Sequence, residues 1–88
     1  MELTGKIIHI GDVEKFEAKN GSICTTREIV LETEAQYPRR ACITLRNDLA
    51  QNFDRRIGDT LTAHFDIDAF TNKEGTRYFN KLTAWRIS

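Results

Sequence analysis

Residues 60–69 read TLTAHFDIDA. Leu61, Ala63, Phe65, Ile67 and Ala69 are apolar, and Thr60, Thr62, His64, Asp66 and Asp68 alternate with them. Alternation of period two puts one set on each side of a strand, so this is a half-buried strand with its apolar side inward. Phe70-Thr71-Asn72-Lys73-Glu74-Gly75 then supplies turn residues, and Thr76 to Ile87 returns as a second strand rich in β-formers. The two make a hairpin with a polar, cationic tip.

Working upstream, Arg39 to Arg46 is another strand, with Ala41, Ile43 and Leu45 in phase. Gln36-Tyr37-Pro38 marks the turn before it, and Thr25 to Glu34 is a strand with Ile29 and Leu31 on one face. Glu14 to Cys24 reads as a charged connection whose turn signal is Asn20-Gly21. Leu3 to Val13 is the first strand, with Gly5 where a bend or bulge is expected. One helix is predicted over about Asp48 to Phe53. Asn47 or Asp48 can cap it, Leu49, Phe53 and Ile57 recur at spacing four, and Gly58 stops the segment.

The order is three strands, one short helix, two strands. It is the order of an all-β, five-stranded Greek-key barrel of the oligonucleotide/oligosaccharide-binding (OB) type, with its helix between strands three and four. The predicted core is Ile7, Ile29, Leu31, Ile43, Leu45, Leu49, Phe53, Leu61, Phe65, Ile67 and Leu82.

A chain of 88 residues is expected to form a single domain, residues 1–88, with a small core. Hydrophobic residues at 40% and charged residues at 30% exclude the composition of a disordered chain. The longest aliphatic run is Ile29-Val30-Leu31, far short of a membrane span, and Met1 to Gly5 carries no secretory signal pattern. A cytoplasmic protein without a membrane partner is expected. Thirteen basic residues balance thirteen acidic ones, which excludes the strongly basic signature of a high-affinity duplex binder. Eight of the cations are arginines, the better residue for bidentate phosphate contacts and for stacking on bases. Arg39, Arg40 and Arg46 lie in an acid-free stretch just after Glu28, Glu32 and Glu34, so charge is segregated along the chain.

Cys24 and Cys42 form no metal-binding spacing, and His9 and His64 are isolated, so neither a metal nor a cofactor is expected. Asp66 and Asp68 share a strand face with Thr62 and His64, but no nucleophilic or glycine-rich element accompanies them. No nucleophile-elbow, phosphate-loop, zinc-protease or dinucleotide motif occurs. Neither an enzyme nor a small-molecule substrate is expected.

Several blocks carry a family likeness. Leu3-Thr4-Gly5-Lys6-Ile7-Ile8, Asn20-Gly21, Ile57-Gly58-Asp59-Thr60-Leu61 and Tyr78-x-x-Lys81-Leu82-x-Ala84 resemble bacterial single-stranded-DNA-binding proteins. Leu31-Glu32-Thr33, Gln36-Tyr37-Pro38-Arg39, Phe65-Asp66-Ile67-Asp68 and Ala84-Trp85 resemble a small bacterial family of unknown function regarded as having the OB fold. The likeness covers nearly the whole chain and specifies fold more than chemistry. It implies single-strand binding and assembly into homo-oligomers. Many such binders end in an acidic tail that recruits partners; this sequence stops at Ser88 without one, so a hub role is not expected.

Candidate contacts follow from alternation. Arg40, Cys42, Thr44 and Arg46 face outward on the third strand, and Thr26, Glu28, Val30 and Glu32 on the second. That is the ligand face of such barrels. Two readings are open for Arg40 and Arg46: phosphate contacts, or cross-strand pairing with Glu28 and Glu32. Lys15, Phe16 and Lys19 occupy one flanking loop, and Lys73, Arg77 and Tyr78 the other, while Arg27 and Arg39 lie near strand ends. Phe16 and Tyr78 either stack on bases or tuck under their own loops. Trp85, out of phase with Leu82 and Ala84, points outward as a stacking platform or, preferably, a subunit contact. The function expected is non-catalytic binding of single-stranded DNA, with RNA as second candidate. The alternative is a protein-interaction or oligomerisation module that binds no nucleic acid.

Overall fold

The computed structural model describes residues 1–88. Its elements are β1 (Glu2–Ile10), β2 (Glu14–Glu17), β3 (Ile23–Glu32), β4 (Arg40–Arg46), α1 (Asp48–Gln51), β5 (Thr60–Thr71) and β6 (Tyr78–Ile87). The sheet order is β1-β5-β6-β4-β3-β2, and an additional β1–β3 pairing closes five of the strands into a ring. All neighbours in the ring are antiparallel except β4 and β6. This is the OB topology that the element order predicts.

Closure depends on β1 serving two partners. Glu2 to Lys6 pair with β5, and Lys6 to Ile10 pair with β3, so Lys6 lies opposite both Thr60 and Glu32. Three backbones converge there, and Gly5 leaves the room they need. A Cβ at Gly5 would stand 2.9 Å from the Glu32 carbonyl oxygen and 3.3 Å from Leu31 Cβ. Ile8 is skipped in the β1–β3 register, a bulge that bends β1 around the ring.

Inside lie Ile7, Ile29, Leu31, Ile43, Leu45, Ala50, Leu61, Ala63, Phe65 and Ala84. Seven of the eleven predicted core positions are in this set. Leu49, Phe53 and Leu82 pack against it only partly buried. Ile67 is a correction: it is 47% exposed, although it continues the alternation of Leu61, Ala63 and Phe65. β1 covers β5 only as far as His64, and β4 meets β6 only at Leu82 and Thr83. Beyond these points the β5–β6 hairpin is an arm with no layer beneath it. The radius of gyration, 14.0 Å, accordingly exceeds the roughly 12 Å of a compact domain of this length.

Two further expectations are corrected. The charged stretch after Val13 is not all loop, because Glu14 to Glu17 pair with Ile23 to Thr26 as an extra hairpin turning through Asn20 and Gly21. Gly21 has φ 85°, which explains a glycine at the turn. The helix is one turn, Asp48–Gln51, and leaves Ile57 exposed. Asn47 makes no side-chain cap; its N–H donates to the Thr25 carbonyl at 2.7 Å, and the Thr25 N–H donates to Asn47 Oδ1 at 3.4 Å. Gln51 Nε2 donates to Thr25 Oγ1 at 3.1 Å, so α1 with Phe53 stoppers one end of the barrel.

Phe65, 6% exposed, and Ile67 therefore separate ring from arm. Phe65→Ala should cost about 3–5 kcal/mol in chemical denaturation and Ile67→Ala under about 1 kcal/mol. Gly5→Ala should cost about 1–3 kcal/mol through overpacking of the junction.

Candidate nucleic-acid interface

Alternation fixes what the outside of the ring presents. Thr26, Glu28 and Val30 on β3, Arg40, Cys42, Thr44 and Arg46 on β4, and Phe79, Lys81 and Thr83 on β6 share one face. Two depressions lie along it. The first, about 380 Å³, runs between the β2–β3 hairpin and β4 and includes Phe16, Arg27, Glu28, Thr44, Arg46 and Lys81 among its walls. The second, about 330 Å³, lies towards the arm and includes Cys42, Phe70, Phe79 and Leu82. Glu28, Thr44 and Lys81 border both, so the two form one trough.

The ends of the trough are aromatic. Phe16, opposite Cys24 on the short hairpin, is 50% exposed. Phe70 and Phe79 are directly paired across the arm and about half exposed. The registers put Phe16 two residues beyond the Thr26–Arg46 pair and Phe79 three residues before the Leu82–Ile43 pair. At about 3.3 Å per residue, the rings are roughly 25 Å apart along β4.

Charge along the trough is mixed. Arg27, Arg46 and Lys81 line the first depression together with Asp12, Glu14 and Glu28. The ion pairs in the molecule involve Arg40, Arg55 and His64, leaving Arg46 and Lys81 without an acid within 4.0 Å. Arg27 is partly committed: its Nε donates to the Gly11 carbonyl at 2.8 Å, and its guanidinium lies over the Phe53 ring. Arg40 donates through Nε to Glu32 Oε2 at 3.0 Å, its direct cross-strand partner. Of the two readings open for Arg40, pairing is the arrangement seen; Arg46, opposite Thr26, has no such partner.

The remaining candidates are dispersed. Lys15 faces away from Phe16 on β2, and Lys19 sits in the hairpin turn. Arg39, before β4, donates its N–H to Thr33 Oγ1. Lys73 is at the arm's tip, and Arg77 lies 6.0 Å from the centre of the Phe79 ring. Tyr78 is exposed but one residue out of phase with Phe79, so it takes the arm's other face. Trp85 is the residue skipped in the β5–β6 register, 58% exposed on a bulge with its ring 5.3 Å from that of His64. It lines neither depression.

Phe70, Phe79 and Lys81 are not among the contacts that the sequence pattern picks out. The signal was present: Leu82 and Ala84 point inward, so Phe79 and Lys81 must share the outward phase that exposes Trp85.

The comparisons place this architecture. Residues 2–88 match the sequence model of a domain of unknown function, DUF3127. The chain belongs to that family. No curated protein matches it significantly. Among solved structures it is similar to the second OB-fold domain of replication protein A from Methanococcus maripaludis, at 16% identity and TM-score 0.74, covering 99% of this chain and 79% of that one. The SSB domain of a Synechococcus protein aligns at 17% identity and TM-score 0.68, covering 99% and 90%. A mitochondrial single-stranded DNA-binding protein of S. cerevisiae aligns at 15% and 0.74, covering 100% and 90%. At these identities the likeness establishes the OB fold. No helix is long and apolar enough to cross a membrane.

Cys42 reports on the trough's floor. Its thiol donates to Glu28 Oε2 at 3.6 Å, and its pKa is raised, first by desolvation and then by the Glu28 charge and hydrogen bond. Less thiolate forms near neutral pH, so Glu28→Gln should speed Cys42 alkylation at pH 8, followed by peptide mass spectrometry.

Proposed function

We propose that this chain binds single-stranded nucleic acid, DNA in the first place, along the trough and without catalysis. The observation that carries the reading is the spacing of half-exposed phenylalanines at the two ends of a trough whose middle holds two unpaired cations, Arg46 and Lys81. Exposed aromatic faces stack on bases, and cations between them meet the backbone; sequence-tolerant binding needs both. A path of roughly 25 Å suits the short end of the site sizes of OB folds, about 4–16 nucleotides. The fold shared with the three solved structures, one of them a single-stranded DNA-binding protein and another an SSB domain, supports the reading as analogy.

Asp12, Glu14 and Glu28 oppose the phosphates, so each chain binds weakly and linked copies would supply avidity. Homo-oligomers are part of the proposal, with exposed Trp85 as the contact. Trp85 lines neither depression, so the contact does not use a trough wall. The same exposed tryptophan favours the second reading, a protein-interaction module.

Fluorescence titration of a labelled mixed-sequence single strand at low salt tests the first reading. With about three phosphate contacts, log affinity should fall with log salt at a slope near −2. Arg46→Ala and Lys81→Ala should each flatten that slope, and Arg40→Ala should change it less. Phe16→Ala and Phe79→Ala should weaken binding by about 1–3 kcal/mol at unchanged slope. No binding at tens of micromolar protein would leave the interaction module standing. For assembly, light scattering should show an oligomer that Trp85→Ala reduces; a monomer unchanged by the substitution contradicts the contact.

A further inference from the structure

The charge of Glu28 is out of place in a phosphate-binding trough, and its surroundings give it no cationic partner. It borders both depressions, at the midpoint of the face, and is solvent-exposed. Its cross-strand neighbour is Thr44, and no cation lies within 4.0 Å of it. Glu32, two residues on, is held by Arg40, whereas Glu28 receives only the Cys42 thiol at 3.6 Å. A thiol is a weak donor and is easily exchanged for a better one.

Resting on the single-strand reading above, we infer that Glu28 is a base-selecting residue that favours guanine and disfavours thymine and uracil. An ionised carboxylate has four lone-pair sites and no donor. Guanine offers it two adjacent donors, the ring N1–H and the exocyclic amine, in the parallel arrangement that a carboxylate accepts. Cytosine and adenine offer one exocyclic amine each. Thymine and uracil offer a single N–H flanked by two carbonyl oxygens, which the carboxylate repels. A strand that runs from Phe16 to Phe79 crosses the trough floor where Glu28 stands, and carries a base past it. Single-stranded bases expose their Watson–Crick edges to such a group.

The test is binding of four five-nucleotide DNAs, thymidine throughout except for guanine, cytosine, adenine or thymine at the centre. The wild type should bind the guanine strand about tenfold tighter than the all-thymine strand, with cytosine and adenine between. Glu28→Gln keeps the shape but adds a donor that thymine can accept, so the ratio should fall to near one. Removing a negative charge strengthens binding of every strand, which makes the ratio the readout. Asp66→Asn, an equal charge change on β5, should leave the ratio intact. Equal affinities in the wild type, a preference for thymine, a ratio that survives Glu28→Gln, or a ratio that Asp66→Asn abolishes would each overturn the inference while leaving single-strand binding standing. No binding of any strand or of longer single strands overturns both.

Discussion

The ring exists because one strand, β1, serves two neighbours, and the handover takes place at Gly5 and Lys6. Elsewhere closure is thin: the parallel β4–β6 contact has only two register pairs. The buried apolar set is ten residues, three of them alanines, so little core energy is in reserve. A side chain at Gly5 would press on the Glu32 carbonyl and push β3 away from β1. Without closure, β3, β4 and β6 would have no common curved outer face, and the trough would not form. Fold and candidate site thus rest on the same junction.

Where hydrophobic period and burial coincide, the fold was legible in the sequence. Leu61, Ala63 and Phe65 alternate and are buried, and Ile43 and Leu45 behave likewise. The pattern misleads at Ile67, because alternation records which side a residue takes and not whether another layer lies beneath it. Helical spacing misleads at Ile57 for a related reason: α1 ends after one turn, and Gly58 and Asp59 are hydrogen-bonded to Ile7 of β1 instead of continuing a helix. Asn47 looks like a cap and instead ties the strand–helix junction to Thr25 through its N–H and its Oδ1. The short β2 strand had no periodic signal in a four-residue EKFE segment and forms because β3 has a free edge there.

The site was less legible than the fold. Phase along one strand put Arg40 and Arg46 on the outer face, but separating them required the cross-strand register: Arg40 faces Glu32 and Arg46 faces Thr26. Phe79 and Lys81 come level with β4 only through the parallel pairing of β6, a long-range contact that no local pattern announces. The trough therefore draws on β2, β3, β4, β5 and β6, while several cations grouped by the sequence lie on other faces. A balanced set of three acids and three bases suits reversible, salt-sensitive contacts, and the aromatic ends are insensitive to salt.

The central claim is that nucleic acid follows this trough. Amide chemical-shift mapping by NMR, with a short single strand added to the full chain, tests it residue by residue. The account predicts shifts running from Phe16 through Thr26, Glu28, Thr44 and Lys81 to Phe79, with His64 and Ile57 unmoved. Shifts clustered around His64 and Trp85, or confined to the barrel end at Phe53, would contradict it.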